Sequence, residues 1–281
     1  MLATRVQRYA RGSSSARRSQ VVTCSSSSGS ARPAVPDPAQ NGVPRSASGS
    51  WNYTCPGPDG WEGACQDGVS QSPIDLPFST LEQIRFNYPE SFNATVINNG
   101  HGSPQVNIPG DIQCRVMVED QMYQLLQVHY HAPSEHTFNG VHTLMEAHLV
   151  HKNVKTGELC VLGVLIQPGG DKPNPALDAS LEKAPQLAPG AEVPLGRPFQ
   201  PLALLPKPRT SDGRRPYATY AGSLTTPPCT EGVNWVVFLD PIQVQATQVL
   251  DFLTFARRDG NVELNARPTQ PLGTRQLRFF V

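Results

Sequence analysis

Two histidines placed two residues apart, His129 and His131, are the part of the sequence with the clearest chemical meaning. On a β-strand, residues at i and i+2 point to the same face, so both imidazoles would face one point. A third ring nitrogen must come from another segment, and His148 in the run 145–151 is the best candidate. Three neutral imidazoles that leave one coordination position open are typical of a catalytic zinc centre, whereas structural zinc sites are closed.

Each of two candidate ligands has a polar neighbour at the same spacing. Gln127 stands two residues before His129, and Glu146 stands two residues before His148, so each pair shares a strand face. Such a neighbour can accept a hydrogen bond from the ring nitrogen that is not on the metal, which orients the ring. The repetition on two strands makes a zinc site a much stronger prediction than one pair of histidines would.

Three further histidines are interpreted as surface or second-layer residues rather than ligands. His136 follows the first strand in a loop, and His142 lies six residues before His148 on the same predicted strand face. His151 is three residues past His148 and therefore faces the other side of that strand.

A zinc ion with three neutral ligands lowers the pKa of bound water to about 7, which yields a metal hydroxide nucleophile at neutral pH. The turn 223–229 contains a hydroxyl that could orient this nucleophile. Thr225 could accept from the hydroxide and donate to a buried carboxylate, for which Glu135 is the candidate. Without the histidines, the same stretch would be interpreted as a proline-fixed turn with no chemistry.

The elements that must position these residues are predicted to be mostly strands. Short apolar runs, 28 prolines and 23 glycines are typical of a sheet-rich fold with many turns. The segment Met122–His131 has apolar residues on both faces, which predicts a central strand. Further strands are predicted at 93–98, 106–108, 114–118, 141–150, 159–166 and 233–239, and helices after Asn174 and at 245–258.

Residues 1–50 differ in composition from the rest of the chain. They hold 12 serines, seven arginines and one acid, so their charge of +6 balances a charge of −6 elsewhere. This composition is typical of an organelle transit segment with a disordered linker, and a plain disordered tail is the alternative. A secretory signal fits less well because no apolar core follows the charges. We therefore predict a leader at 1–50 and one folded domain at 51–281.

The sequence does not indicate a membrane or a nucleic acid as a partner. No apolar run approaches the roughly 20 residues that a transmembrane helix needs. Nothing in the mildly acidic body is typical of a nucleic-acid-binding surface.

The chain also carries several short motifs in the order found in one enzyme family, and through them it resembles the α-class carbonic anhydrases. The motifs lie at 71–75, 98–101, 127–131, 134–137, 146–151 and 223–228. The resemblance covers about Trp51 to Phe280 and is greatest to algal plastid members. It implies a mainly β single domain with a few short helices, built on a large, twisted, mostly antiparallel sheet.

The resemblance implies reversible hydration of carbon dioxide to bicarbonate and a proton, by zinc-hydroxide attack on a small-molecule substrate. His129, His131 and His148 would bind the Zn²⁺, and Gln127 and Glu146 would hold the ligand rings from behind.

The remaining roles follow from the same resemblance. Thr225 and Glu135 would form the relay that orients the hydroxide, and Thr226 with the N–H of Thr225 would meet substrate or bicarbonate. His101 would shuttle protons, for which a histidine has a suitable pKa. The apolar pocket for carbon dioxide would be lined by Val150, Val161, Leu224, Val233 and Trp235.

The six cysteines include no Cys-x-x-Cys pair, and their spacing alone does not choose among about fifteen pairings. The resemblance pairs Cys65 with Cys229, as in extracytosolic members of the family, and that implies an oxidising compartment. Together with the leader this predicts the chloroplast, where the thylakoid lumen would satisfy both features. Secretion is the alternative.

Two other functions are alternatives to this enzyme. A non-catalytic domain of the same fold would have lost ligand histidines, but all three stand here with Thr225 and Glu135. A different zinc hydrolase, such as an esterase, could use the same nucleophile, but the inferred pocket is small.

Overall fold

A computed structural model describes residues 53, 58–75, 84–258 and 265–280. Within these residues the chain forms twelve β-strands and three α-helices, as expected for a mainly β protein. The leader predicted at 1–50 lies outside the described residues, and so does the predicted domain start at Trp51.

The strands are β1 Arg85–Asn87, β2 Thr95–Asn98, β3 Pro104–Asn107, β4 Arg115–Val118, β5 Gln121–His131, β6 Met145–Asn153, β7 Leu159–Pro168, β8 Glu192–Pro194, β9 Tyr217–Ser223, β10 Glu231–Phe238, β11 Ile242–Val244 and β12 Arg278–Phe280. The helices are α1 Ala64–Asp67, α2 Pro175–Lys183 and α3 Ala246–Arg258. The predicted strand at 141–150 begins later than expected, because β6 starts only at Met145.

All twelve strands join one twisted, mixed sheet, and its long path runs β12-β9-β10-β7-β6-β5-β3-β2-β8. The remaining strands β4, β1 and β11 pair at its sides. Pairing is antiparallel except where β10 and β11 run parallel to β7. The two long histidine strands, β5 and β6, therefore lie side by side in the middle of the sheet, where the apolar faces of 122–131 predict β5.

The register places the histidines in one row across the sheet. His129 on β5 is opposite His148 on β6, which in turn is opposite Gly163 on β7 and then Val237 on β10. Opposite residues of paired strands share a face, so this row faces one side of the sheet.

Apolar side chains cover both faces of the sheet. The larger cluster lies on the face opposite the histidine row, where Val128, Tyr130 and Leu149 pack under α2 and α3. α2 starts as predicted, since the side chain of Asn174 caps it by accepting from the N–H groups of Ala176 and Leu177. Among the described residues, no helix has the length and apolar character needed to span a membrane.

A bulge in β5 changes one part of the predicted pattern. The register with β6 shifts between Leu125 and Gln127, so the side-chain alternation is interrupted there. Strict alternation along 122–131 would place Leu125 on the face of Gln127 and His129, but it is buried in the larger cluster with Val128.

Candidate active site

Three imidazoles converge at the middle of the sheet. The ring centroids of His129, His131 and His148 lie 4.5–5.2 Å apart. One nitrogen of each ring lies within 4.8 Å of the nitrogens of the other two. The trio expected from the i, i+2 spacing is therefore brought together by the pairing of β5 with β6.

On β5, each histidine ring uses one nitrogen for a hydrogen bond to a fixed acceptor. His129 Nδ1 is 2.8 Å from Gln127 Oε1, and His131 Nδ1 donates to the main-chain carbonyl of Asn265 over 2.6 Å. A carbonyl oxygen can only accept, so His131 carries its proton on Nδ1 and leaves Nε2 with a free lone pair.

On β6 the tautomer is reversed. His148 Nε2 donates to Glu146 Oε1 over 3.0 Å, which leaves Nδ1 free. His131 Nε2 is buried and has no hydrogen-bond partner among the described residues. An unpaired buried nitrogen is costly, and a metal ion bound between the three rings would satisfy it. The donor set therefore fits a zinc ion held by His129 Nε2, His131 Nε2 and His148 Nδ1.

All three rings are neutral at neutral pH. Burial lowers the pKa of His131 to about 4, and burial also lowers the pKa of His148. His129 keeps part of its surface exposed, yet its desolvated position and the nearby rings of His131 and His148 hold its pKa well below the usual value. Neutral imidazole is the form that binds a metal ion.

Glu146 is a fully buried carboxylate that serves two histidines. Its Oε1 accepts from His148 and, over 2.7 Å, from His136 Nδ1, while Oε2 accepts from the main-chain N–H of His136. Burial raises the pKa of Glu146, but the two histidines outweigh burial and bring it well below its ordinary value. Glycine at 163 makes room for it, because a Cβ there would lie 2.7 Å from Glu146 Oε1.

His136 was expected at the surface or in a second layer, and the second layer is correct. It is completely buried, and its Nε2 lies 2.7 Å from the hydroxyl of Tyr220 on β9. His151 is also buried, on the far face of β6 as its odd position predicts, and its Nε2 contacts Tyr88. His142 is exposed, as expected of a residue outside the site.

Thr225 and Glu135, expected to act as a pair, are both buried, and the Thr225 hydroxyl lies close enough to Glu135 to influence its pKa. Burial raises the pKa of Glu135 to about 7, and the His148 ring, the Arg267 N–H and the Thr225 hydroxyl oppose that rise. Glu135 Oε2 has no hydrogen-bond partner among the described residues. Glu135 Oε1 is held firmly, since the Arg267 N–H donates to it over 2.8 Å.

An apolar wall stands beside the three imidazoles. The smaller apolar cluster contains all the residues expected there: Val150, Val161, Val233 and Trp235, with Leu224 packed against them. The Trp235 and His148 ring centroids are 4.8 Å apart, so the wall begins directly at the trio.

His101 lies in a turn between β2 and β3 and is half-buried rather than fully exposed. Its main-chain N–H donates to Asn99 Oδ1 over 2.9 Å, and the N–H of Ser103 donates to the same oxygen. We call residues 99–103 the His101 loop. Thr226 is half-buried and accepts the N–H of Cys229 through its carbonyl, which closes the turn after Thr225.

The family model for eukaryotic-type carbonic anhydrases matches residues 56–280, most of the 281-residue chain. The chain belongs to the carbonic anhydrase family. Membership identifies it as a carbonate dehydratase, and the α-type carbonic anhydrases depend on zinc. Small-molecule substrates follow from that activity.

Individual carbonic anhydrases support the same family. The chain is 34% identical to the Klebsiella pneumoniae carbonic anhydrase over 235 residues, covering 80% of this chain and 89% of that protein. It is 36% identical to alpha carbonic anhydrase 3 of Arabidopsis thaliana, covering 75% and 74% of the two chains. Among solved structures, carbonic anhydrase Cah3 of Chlamydomonas reinhardtii, in complex with acetazolamide, matches with 42% identity and a TM-score of 0.75, covering 83% of this chain and all of that one.

The carbonic anhydrase fold here also contains the expected disulfide. Cys65 and Cys229 are bonded, with Cα atoms 4.9 Å apart, and Cys114 and Cys160 are buried free thiols. The Arg267 guanidinium donates to the carbonyl of Cys65 over 2.7 Å. The disulfide thus connects the segment after Thr226 to the residue that holds Glu135.

Three residues with a part in this arrangement were missed in the sequence. Asn265 and Arg267 lie in a stretch without regular structure, more than 130 positions from the groups they contact. Tyr220 lies on β9, a strand that was not predicted. No local pattern marks any of them, because their partners come from distant parts of the chain.

Proposed function

We propose that this chain catalyses the reversible hydration of carbon dioxide with a zinc ion held by His129, His131 and His148. The observation that carries the proposal is the convergence of three neutral imidazoles, each with one nitrogen already hydrogen-bonded and the other available for a metal. Of the available nitrogens, His131 Nε2 is buried and has no partner among the described residues. Zinc, when bound, supplies a Lewis acid that brings the pKa of a coordinated water to about 7. Gln127 and Glu146 fix the ring orientations by accepting from His129 and His148.

Thr225 orients the reacting oxygen in this proposal. Its hydroxyl would donate to Glu135, which leaves an oxygen lone pair of Thr225 to accept a hydrogen bond from the nucleophile. Glu135 stays in place because Oε1 is bonded to the Arg267 N–H. The attacking lone pair is thereby turned away from Thr225 and toward the substrate position.

The apolar wall receives carbon dioxide, which is small and carries no net charge. Val150, Val161, Val233 and Trp235 exclude water from one side of the reaction centre. Leu224 completes the same wall. In this proposal the main-chain N–H of Thr225 and the side chain of Thr226 contact the oxygen atoms of bicarbonate.

His101 accepts the proton that each turnover releases. A histidine exchanges protons with buffer efficiently because its ordinary pKa is near neutrality. Its loop adjoins β3, whose Asn107 pairs with Gln127 beside the ligand His129.

We also propose that residues 1–50 form a cleavable leader and that the enzyme works in the chloroplast, in the thylakoid lumen. The disulfide supports an oxidising compartment, and the plant and algal relatives support a plastid location. A fluorescent tag on the full-length chain, followed by microscopy in an algal or plant cell, tests this. Secretion into the medium would contradict it.

A stopped-flow carbon dioxide hydration assay with a zinc count on the full-length chain tests the catalytic proposal. His148→Ala should abolish zinc binding and hydration together. His142→Ala, which replaces an exposed histidine outside the trio, should leave both unchanged. Full activity in a metal-free His148→Ala protein would overturn the ligand assignment.

A further inference from the structure

Asn265 joins two parts of the site that the chain keeps far apart. Its buried side chain donates through Nδ2 to the carbonyls of Gly102, over 3.1 Å, and Tyr130, over 2.9 Å. Its Oδ1 accepts the N–H of Ala132 over 2.8 Å. Its main-chain carbonyl accepts from His131. One residue therefore contacts both the His101 loop and the strand that carries two ligand histidines.

A side chain is needed at this point because the strand ladder has ended. β3 and β5 are in register only at Val106 with Val128 and Asn107 with Gln127, within the described residues. Two residues further along β5, the Tyr130 N–H donates to Ser103 Oγ over 2.8 Å, and its carbonyl accepts from Asn265. Two side chains thus replace the missing strand partner at the residue between His129 and His131.

Hydrogen bonds within the His101 loop connect this attachment to His101. Asn99 Oδ1 accepts from the N–H groups of both His101 and Ser103, so the loop is closed on itself. Gly102 has a φ of +75°, and a Cβ on it would lie 3.4 Å from Asn265 Cβ and 3.6 Å from the Ala256 carbonyl oxygen. The residue directly after His101 is therefore packed against Asn265 as well as bonded to it.

We propose that the Asn265 side chain is a positioning element that sets the place of His101 relative to His131, and so the path over which protons leave. This inference rests on the proposed function. The two halves of Asn265 have separable tasks: the main-chain carbonyl orients the His131 ring, while the amide side chain holds the His101 loop.

The separation predicts a specific kinetic result for Asn265→Ala in the full-length, zinc-loaded enzyme. The carbonyl remains, so zinc affinity measured by chelator competition should stay unchanged. A displaced His101 should lower kcat about tenfold, less than complete removal of an acid–base group costs. The value of kcat/KM should persist, because it covers only the steps up to release of the first product. Imidazole buffer should restore kcat by accepting the proton in place of His101.

Hydrogen–deuterium exchange provides a measurement that does not depend on turnover. In Asn265→Ala, with or without zinc, the amides of Ala132 and of residues 99–103 should exchange faster than in the wild type. Asn265→Asp should loosen the loop as well, because a carboxylate oxygen would then face the carbonyls of Gly102 and Tyr130. It should keep Ala132 protected, since the acceptor is retained.

A buried asparagine elsewhere provides the matched control. Asn174 bonds to main-chain groups of Ala176, Leu177 and Ala203, away from the site. Asn174→Ala should lower the free energy of unfolding. It should not lower kcat relative to kcat/KM, so KM should stay unchanged. If Asn265→Ala does not fold, Ser103→Ala removes the other attachment and should show the same kinetic split.

Two results would overturn the inference. One is an equal loss of kcat and kcat/KM in Asn265→Ala with no recovery in imidazole. The other is wild-type exchange across residues 99–103. The proposed function fails differently, through a wild-type chain that binds no zinc or hydrates no carbon dioxide, and the exchange experiment still decides whether Asn265 holds the loop.

Discussion

Glu146 Oε1 lies 3.0 Å from His148 Nε2 and accepts a hydrogen bond from it, which leaves Nδ1 as the only nitrogen of that ring able to bind a metal. The same oxygen accepts from His136. The carboxylate is fully buried, so its charge is not screened by water. The tautomer and the basicity of His148 therefore depend on Glu146.

Glu146→Gln should lower zinc affinity roughly 10–100-fold, because an amide accepts from His148 more weakly than a carboxylate. Competition with a chelator measures this. Glu158→Gln changes an exposed carboxylate beyond β6 and should leave the affinity unaltered. Equal affinities in wild type and Glu146→Gln would mean that the carboxylate does not support the ligand.

Thr225→Val should keep zinc in place but lower kcat/KM about 100-fold, since the reacting oxygen loses the hydroxyl that orients it. Thr225→Ser keeps a hydroxyl and should retain most of the activity. Stopped-flow hydration with a zinc count on each variant separates the two. If valine and serine variants were equally active, the hydroxyl would have no part in the reaction.

His101→Ala should lower kcat about 100-fold with zinc retained, since a positioned acid–base group contributes about this much. Added imidazole should return part of the rate in a concentration-dependent way. The rate is measured in a weak and in a strong buffer at the same pH. Absence of any buffer effect would rule out His101 as the proton acceptor.

Replacing both Cys65 and Cys229 with serine should lower the free energy of unfolding by about 3–5 kcal/mol, because the bond closes a long loop. Urea titration measures the change. A reductant should destabilise the wild type by a similar amount and have no effect on the double variant. If the reductant destabilised both proteins equally, it would act on a group other than this disulfide.

Because His151 is buried, we expect the free energy of unfolding to fall in acid. Its Nδ1 donates to the carbonyl of Leu149, so Nε2 can only accept from the Tyr88 hydroxyl, and burial lowers the pKa of His151 to about 3. Below about pH 6.5 the unfolded chain binds a proton that the folded protein cannot bind until near pH 3. This group therefore costs stability as pH falls through that window, by about 1.4 kcal/mol per pH unit.

His151→Gln should flatten that part of the stability curve, measured by urea unfolding between pH 7.5 and 4.5. His142→Gln replaces an exposed histidine and should keep the wild-type slope. An unchanged slope in His151→Gln would show that other groups cause the acid sensitivity.

The local spacing rules succeeded where the contacts are set by neighbours along a strand. The i, i+2 relation predicted that His129 and His131 share a face, and the apolar faces predicted that β5 is central; both features are present. The rules could not choose the ring nitrogens, because the deciding acceptor for His131 is the carbonyl of Asn265. They also failed at the β5 bulge, where one extra residue moves Leu125 to the other side.

The placement of His136 shows the same limit. Its position after a strand predicted a loop residue at the surface or in a second layer, and the contacts with Glu146 and Tyr220 from two other strands decide for the second layer. A histidine can be buried when both ring nitrogens find partners, and those partners are known only once the sheet is assembled.

The glycine at 163 has a consequence for which sequences can carry this chemistry. The Glu146 carboxylate fits inside this apolar sheet because the adjoining strand has no side chain at 163, where a Cβ would come within 2.7 Å of the carboxylate oxygen and 3.3 Å of Val237. Even alanine at this position would press on the carboxylate that His148 and His136 bond to. A protein could therefore keep all three metal-binding rings and still bind the metal more weakly. A single methyl group at position 163, two strands away from His129, would be enough to displace the carboxylate that supports His148.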